Sequence, residues 1–226
     1  MSPRIAVRTR ESSPTRDVIL DAAERCFAER GFAGVSMREI AAEAGLKNQA
    51  SLYHHFQDKR ALYEAVLGRG IAAIIALVAE STRSGIPAGH LERERVEYVL
   101  DRVVDYLDEH PNLPRLIQRA GLDDARYLRA TVTRLVRPLY AQGLRVLQGT
   151  LGPWDAAELP HLAAGLYHLI FGYFADSMLM EVVVEHDPRS PSAVARQRRF
   201  LKRAVAQLLG VGLLRAAPAP RPRRGG

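Results

Sequence analysis

Apolar residues recur three and four positions apart along nearly the whole 226-residue chain, and the alternation that marks a strand is almost absent. Such a chain buries its apolar stripes by packing helix on helix, which predicts an all-α fold. Ile19, Ala22, Ala23, Cys26 and Phe27 mark one face of a first helix. It starts near Ser13-Pro14-Thr15, because proline suits the first helical position, and Gly31 closes it. Ser36-Met37-Arg38-Glu39 forms a capping box that opens a second helix, with Ile40, Ala41 and Ala44 inward and Gly45 at its end. A third, short helix is expected over roughly 48 to 55, and a fourth from near Asp58, with Leu62, Ala65, Val66 and Arg69 in its early turns.

After Ser84-Gly85-Ile86-Pro87-Ala88-Gly89 the helices lengthen. The next carries Val96, Val99, Leu100, Val103, Val104 and Leu107 on one face, backed by Glu97, Asp101, Asp105 and Asp108, which read as a solvated ladder. His110-Pro111-Asn112 stops it. A short segment over 113 to 122 precedes a long helix from about Asp124 to Gly149, in which Pro138 should introduce a bend. Asp155 to Glu158 makes a second capping box. From Leu159 to Val184 one helix is expected, apolar almost all the way round and so in need of burial on more than one side. The last helix, from about Ser192, turns Val194, Leu201, Val205, Leu208 and Leu209 inward and Arg196, Arg198, Arg199, Lys202 and Arg203 outward. The sum is about nine helices: a three-helix head, a connector and a helical body.

Charge does not decide a function. The formal +7 resides at the ends: four arginines against one glutamate in residues 1–16, and four arginines without an acid in residues 215–226. Between them 24 basic and 24 acidic residues balance. The ends therefore read as a flexible basic arm over 1–12 and a disordered basic tail over 215–226, each either simply solvated or, as the alternative, adding salt-dependent attraction to phosphates. A single cysteine excludes a disulfide framework. No apolar run is expected to reach a membrane span, and charges occupy the position of a signal peptide's apolar stretch, so a soluble, cytoplasmic protein is expected.

The stretch KNQASLYHHFQDK at 47–59 concentrates the chemistry. His54 and His55 are adjacent and point about 100° apart on a helix, and no cysteine or carboxylate cluster supplies further ligands, so no metal is expected. No nucleophile with a base and a third partner is visible, so neither catalysis nor a cofactor is expected. A capped short helix, a glycine turn and a second short helix is instead the helix-turn-helix plan, whose second helix enters the major groove of DNA. Its first positions hold Asn48, Gln49, Ala50 and Ser51: amides that bond an adenine edge, a methyl that packs on thymine's, and a hydroxyl. The plainer alternative is a polar turn with a helix cap.

VSMREIAAEAGL followed by SLYHHFQDKRALYEAV closely resembles the DNA-binding head of the tetracycline-repressor (TetR/AcrR) family of bacterial transcription regulators, over about residues 13 to 73. The resemblance implies that Tyr53 and His55 touch phosphates or base edges, that Lys59 caps the contact at the next helix, and that Arg38 reaches a base or phosphate; Lys47 and His54 lie in the same segment. The chain departs from the family in one respect, an extra residue between Gly45 and Leu52, near Lys47 or Asn48. Leu52, Phe56 and Ile40 read as core.

The resemblance also implies a ligand-binding and dimerisation body, here 74–214, after a head at 13–73. It implies a homodimer paired through the helices near 159–184 and 192–209, a palindromic operator, and an unknown small-molecule effector that releases a repressor. Tyr98, Arg102, Tyr140, His168 and Phe171 are the candidate pocket lining, the plainer alternative being hydrogen-bonded core residues, and apolar walls favour a hydrophobic or amphipathic effector. A bacterial, nucleoid-associated location follows. An activator, or a protein-binding helical module without an operator, is the alternative.

Overall fold

The computed structural model describes residues 14–83, 93–123, 125–147, 154–184 and 186–210. Its elements are ten helices: α1 (Pro14–Arg30), α2 (Met37–Glu43), α3 (Ala50–Tyr53), α4 (Lys59–Arg83), α5 (Arg93–Glu109), α6 (Asn112–Asp123), α7 (Ala125–Leu147), α8 (Leu159–Ala175), α9 (Ser177–Val184) and α10 (Pro191–Leu208). Among the described residues there is no strand. The expected arm at 1–12, the turn at 84–89 and the tail at 215–226 lie outside the described residues.

Residues Ile19, Ala22, Ala23, Cys26 and Phe27 of α1 are all buried, and burial pushes the Cys26 thiol pKa up. All of them but Ala22 share one cluster with Val35, Ile40, Leu52, Phe56, Leu62 and Val66, so the head closes over one small core. That core does not stop at the head. Leu113, Leu116 and Ile117 of α6 and Tyr127 of α7 belong to the same cluster. Four rings join the parts: Phe27 meets Tyr63 edge-on at 4.9 Å, Phe32 lies 5.1 Å from Tyr63, and Tyr127 lies 4.7 Å from Phe32 and 5.3 Å from Tyr63. α4 runs unbroken past residue 73, where the head was expected to end. Further along the chain, α5, α8 and α10 pack around Val96, Leu100, Leu162 and Val205, and around Val104, Leu107, Phe174 and Leu201.

The structure corrects several expectations. The single helix at 159–184 is two, with α9 turned 89° from α8, which makes ten helices among the described residues where about nine are expected. Asp176 makes the break: its backbone leaves the helical region at φ −113° and ψ 69°, and its carboxylate accepts from Leu179 N at 3.1 Å, capping α9. The second capping box exists, with Glu158 N donating to Asp155 Oδ1 and Asp155 N to Glu158 Oε2, but it closes the turn just before α8. α3 is shorter than expected, whereas α7 is the one long helix expected, with Pro138 inside it.

The acidic ladder of α5 is not simply a wet face, nor do all the basic residues of α10 point to solvent. Arg198 donates to Asp101 Oδ1 at 3.2 Å and to Asp105 Oδ1 at 2.6 Å, while Lys202 donates to Asp101 Oδ2 at 2.7 Å. Arg189 donates to the Asp108 carbonyl at 3.1 Å. Partly exposed pairs of this kind contribute about 0.2–1 kcal/mol each. The expected lack of any span-length apolar segment also fails. Lys59–Glu80 within α4 is long and apolar enough to cross a membrane, with a mean hydropathy of 1.8. Its packing explains the composition: α4 touches α1, α5, α6 and α7, so it needs apolar side chains on most sides.

Phe27 is fully buried at the meeting point of head and body. Phe27→Ala should therefore lower the free energy of unfolding by about 3–5 kcal/mol, measured by urea titration of helicity.

Candidate nucleic-acid interface and body cavity

The segment from Ser36 to Lys59 is held by local bonds that its sequence dictates. Ser36 Oγ accepts from Glu39 N at 3.2 Å while Glu39 Oε2 accepts from Ser36 N at 2.7 Å, so the capping box is complete. Arg30 adds a 2.5 Å bond to Glu39 from the end of α1. The Ser36 side chain, its backbone amide and then Arg30 hold the Glu39 carboxyl down at about 2. Gly45 ends α2 at φ 68°, a left-handed conformation that favours glycine, and Leu46 N returns to the Ala41 carbonyl at 2.9 Å.

Residues 44 to 49 then form the turn, and α3 opens at Ala50. Asn48 Oδ1 accepts from Ser51 N at 3.1 Å and lies 3.3 Å from Ser51 Oγ. Asn48 Oδ1 thus ties the turn to the start of α3, in the stretch where an extra residue is expected. Gln49 Nε2 donates to Tyr53 Oη at 3.0 Å across one turn. Tyr53 is 48% exposed, whereas Leu52 beneath it is fully buried. Arg38, Lys47, Asn48, Ala50 and His54 are exposed, and Gln49, Ser51 and His55 are half-buried on the same segment. Tyr53 and His55 therefore do not form part of the buried core.

Lys59 is placed differently. Its ammonium donates to the Val35 carbonyl at 2.6 Å and lies 4.5 Å from the centre of the Phe32 ring, tying the start of α4 to the turn before α2. Asp58 caps that start, accepting from Ala61 N at 2.7 Å. Arg60 lies over the Tyr127 ring at 5.4 Å. Among the described residues no group of three or more histidines, cysteines and carboxylates is placed to hold a metal ion.

The body contains a cavity of about 660 Å³ between α4, α6, α7 and α8. His168 and Phe171 line it; Tyr98, Arg102 and Tyr140 do not. Tyr98 and Arg102 are exposed on α5, opposite its buried Val96–Leu100 stripe. The Tyr140 hydroxyl is buried without a hydrogen-bond partner among the described residues. Ile71, Ile74, Ile75 and Val78 supply the α4 wall, which sequence reasoning missed. Their i, i+3, i+4, i+7 spacing carried the signal: a second apolar stripe on α4 beyond the one covering the head.

Residues 19–66 match the family model for "Bacterial regulatory proteins, tetR family". The HTH-type transcriptional repressor AcnR of Corynebacterium diphtheriae is 37% identical over 75 residues, which cover 33% of this chain and 39% of that protein. The match spans less than half the length of AcnR there and in its counterparts from C. glutamicum and C. efficiens. Two solved structures share the fold over most of both chains. Salmonella enterica GusR is 25% identical with a TM-score of 0.55, covering 87% of this chain and 96% of that one. The fatty acid degradation regulator FadR from Bacillus halodurans is 14% identical with a TM-score of 0.62, covering 85% and 97%.

The ionised Glu39 sets a pH dependence. Its pKa is depressed in the folded state, so the stability it contributes is present above its ordinary value of 4.5 and lost as pH falls towards about 2. Glu39→Gln should flatten the loss of helicity between those limits in an acid titration followed by circular dichroism. An unchanged titration curve would mean the box is not formed in solution.

Proposed function

We propose that this chain, whose residues 19–66 match the tetR family of bacterial regulatory proteins, is a homodimeric transcriptional repressor, released from a palindromic operator by a small molecule. The supporting observation is the surface that α3 presents: Tyr53 outward, positioned by Gln49, on a helix capped by Asn48 and anchored through Leu52. Residues 13–73 act as the DNA-binding domain and 74–214 as the ligand and dimer domain. Arg38, Lys47, Gln49, Ala50, His54 and His55 flank Tyr53 on the DNA side, with Asn48 and Ser51 shaping the helix start. Lys59 acts chiefly by fixing the angle of α4, with its remaining protons available to a phosphate. A bacterial cytoplasmic location on the nucleoid follows.

Dimerisation is supported by apolar surface that one copy leaves open. On α9, Met178, Val182 and Val183 are 77%, 73% and 64% exposed, and Phe200 on α10 is 51% exposed. Apolar exposure concentrated on one short helix, as on α9, marks an interaction surface. A two-fold axis along α8 to α10 would set the two α3 helices to successive major grooves about 34–36 Å apart.

Two experiments test this reading. Selection from random duplexes should enrich a palindrome, and Tyr53→Ala should weaken binding to it about ten- to a hundredfold in a mobility-shift titration. Normal binding by Tyr53→Ala, or no enriched sequence, would remove α3 from the DNA. Separately, Val182→Glu, at an exposed position, should convert a dimer into a folded monomer in sedimentation equilibrium; an unaltered dimer would place the interface elsewhere.

A further inference from the structure

On the reading that the body cavity is the effector site, we propose that its ligand is an uncharged molecule with an extended apolar body and one small polar end, an alkanol being the simplest representative. At about 660 Å³ the cavity falls within the ~300–1,000 Å³ range of small-molecule sites. Its described walls hold no Asp, Glu, Lys or Arg. Ile71 and Ile74 face it from α4, and Val132 and Val136 from α7. Arg126, Arg129 and Arg134 line a neighbouring hollow that shares Gly121, Leu128 and Val132 with the cavity. A carboxylate or ammonium within the cavity's own walls gives up its hydration without a counter-charge on them.

The aromatic residues do not replace one. Tyr167 and Phe171 stack on each other with centroids 4.9 Å apart and planes 23° from parallel, so they do not form the opposed faces of a cage for a cation. The polar groups on the lining include Gln118 and His168, both exposed. They therefore stand at the mouth, where a hydroxyl or carbonyl can bond while keeping contact with water. An apolar body inside and a neutral polar end at the rim is the chemistry these walls recognise.

The test is calorimetric titration of the full chain, without DNA, with 1-alkanols from octanol to dodecanol, with dodecanoate and with dodecyltrimethylammonium, all below micelle-forming concentrations. Alkanol affinity should rise about three- to fourfold per added methylene, and each charged probe should bind at least about tenfold more weakly than dodecanol. Val136→Trp, at a half-buried wall position, should obstruct part of the cavity and reduce dodecanol affinity at least about tenfold while operator binding persists. Equal or tighter binding of either charged probe, no alkanol binding, or indifference to Val136→Trp would overturn the proposal. Operator release is measured separately. Alkanol binding that leaves the operator complex intact counts against ligand release but not against the cavity's chemistry, and release by a charged probe alone does the reverse.

Discussion

The four-ring cluster of Phe27, Phe32, Tyr63 and Tyr127 is the contact through which the rest of the molecule is held in register. It gathers the end of α1, the turn after it, the second turn of α4 and the first of α7. Edge-to-face packing makes it directional as well as apolar, so it fixes angles between helices and not only their proximity. Lys59 and Arg60 lie over two of these rings, which ties the start of α4 to the same point. Farther along, α4 supplies the Ile71–Val78 wall of the cavity. Head and cavity are thus two ends of one helix resting on one aromatic support.

Much of the head was legible in the sequence because local chemistry decides it. The Ser36–Glu39 box, the left-handed Gly45 and the buried face of α1 each depend on residues within about eight positions of one another. The same holds for Asn48, whose cap could be read only as one of two options until Ser51 was seen bonded to it. What escaped depends on partners distant in sequence. Asp101 and Arg198 are 97 positions apart, and each alone looks like a solvated charge. Asp176 is masked in the sequence because the apolar residues on both sides of it dominate the periodicity, whereas one carboxylate suffices to end a helix and cap the next. The cavity was half legible: His168 and Phe171 belong to it, but its α4 wall was hidden in a helix already explained by the head.

The short α3 sets a demand on what lies around it. Four residues make little more than one turn, so the helix has almost no intrinsic stability. Its orientation comes from Leu52 below, Asn48 at its start and Phe56 beyond its end, leaving the outer face to Gln49, Tyr53 and His54. Rigidity here is borrowed from the head core, which is in turn shared with α6 and α7.

The ladder between α5 and α10 carries a consequence for handling the protein. Its charges lie partly in solvent, so added electrolyte shortens the reach of their attraction, from about 10 Å at 0.1 M to about 3 Å at 1 M. Concentrated salt, the usual means of stripping nucleic acid from a basic protein, would therefore also loosen the strap that seats α10 against its neighbour. Washing at high ionic strength and judging subunit association are operations best kept apart for this molecule.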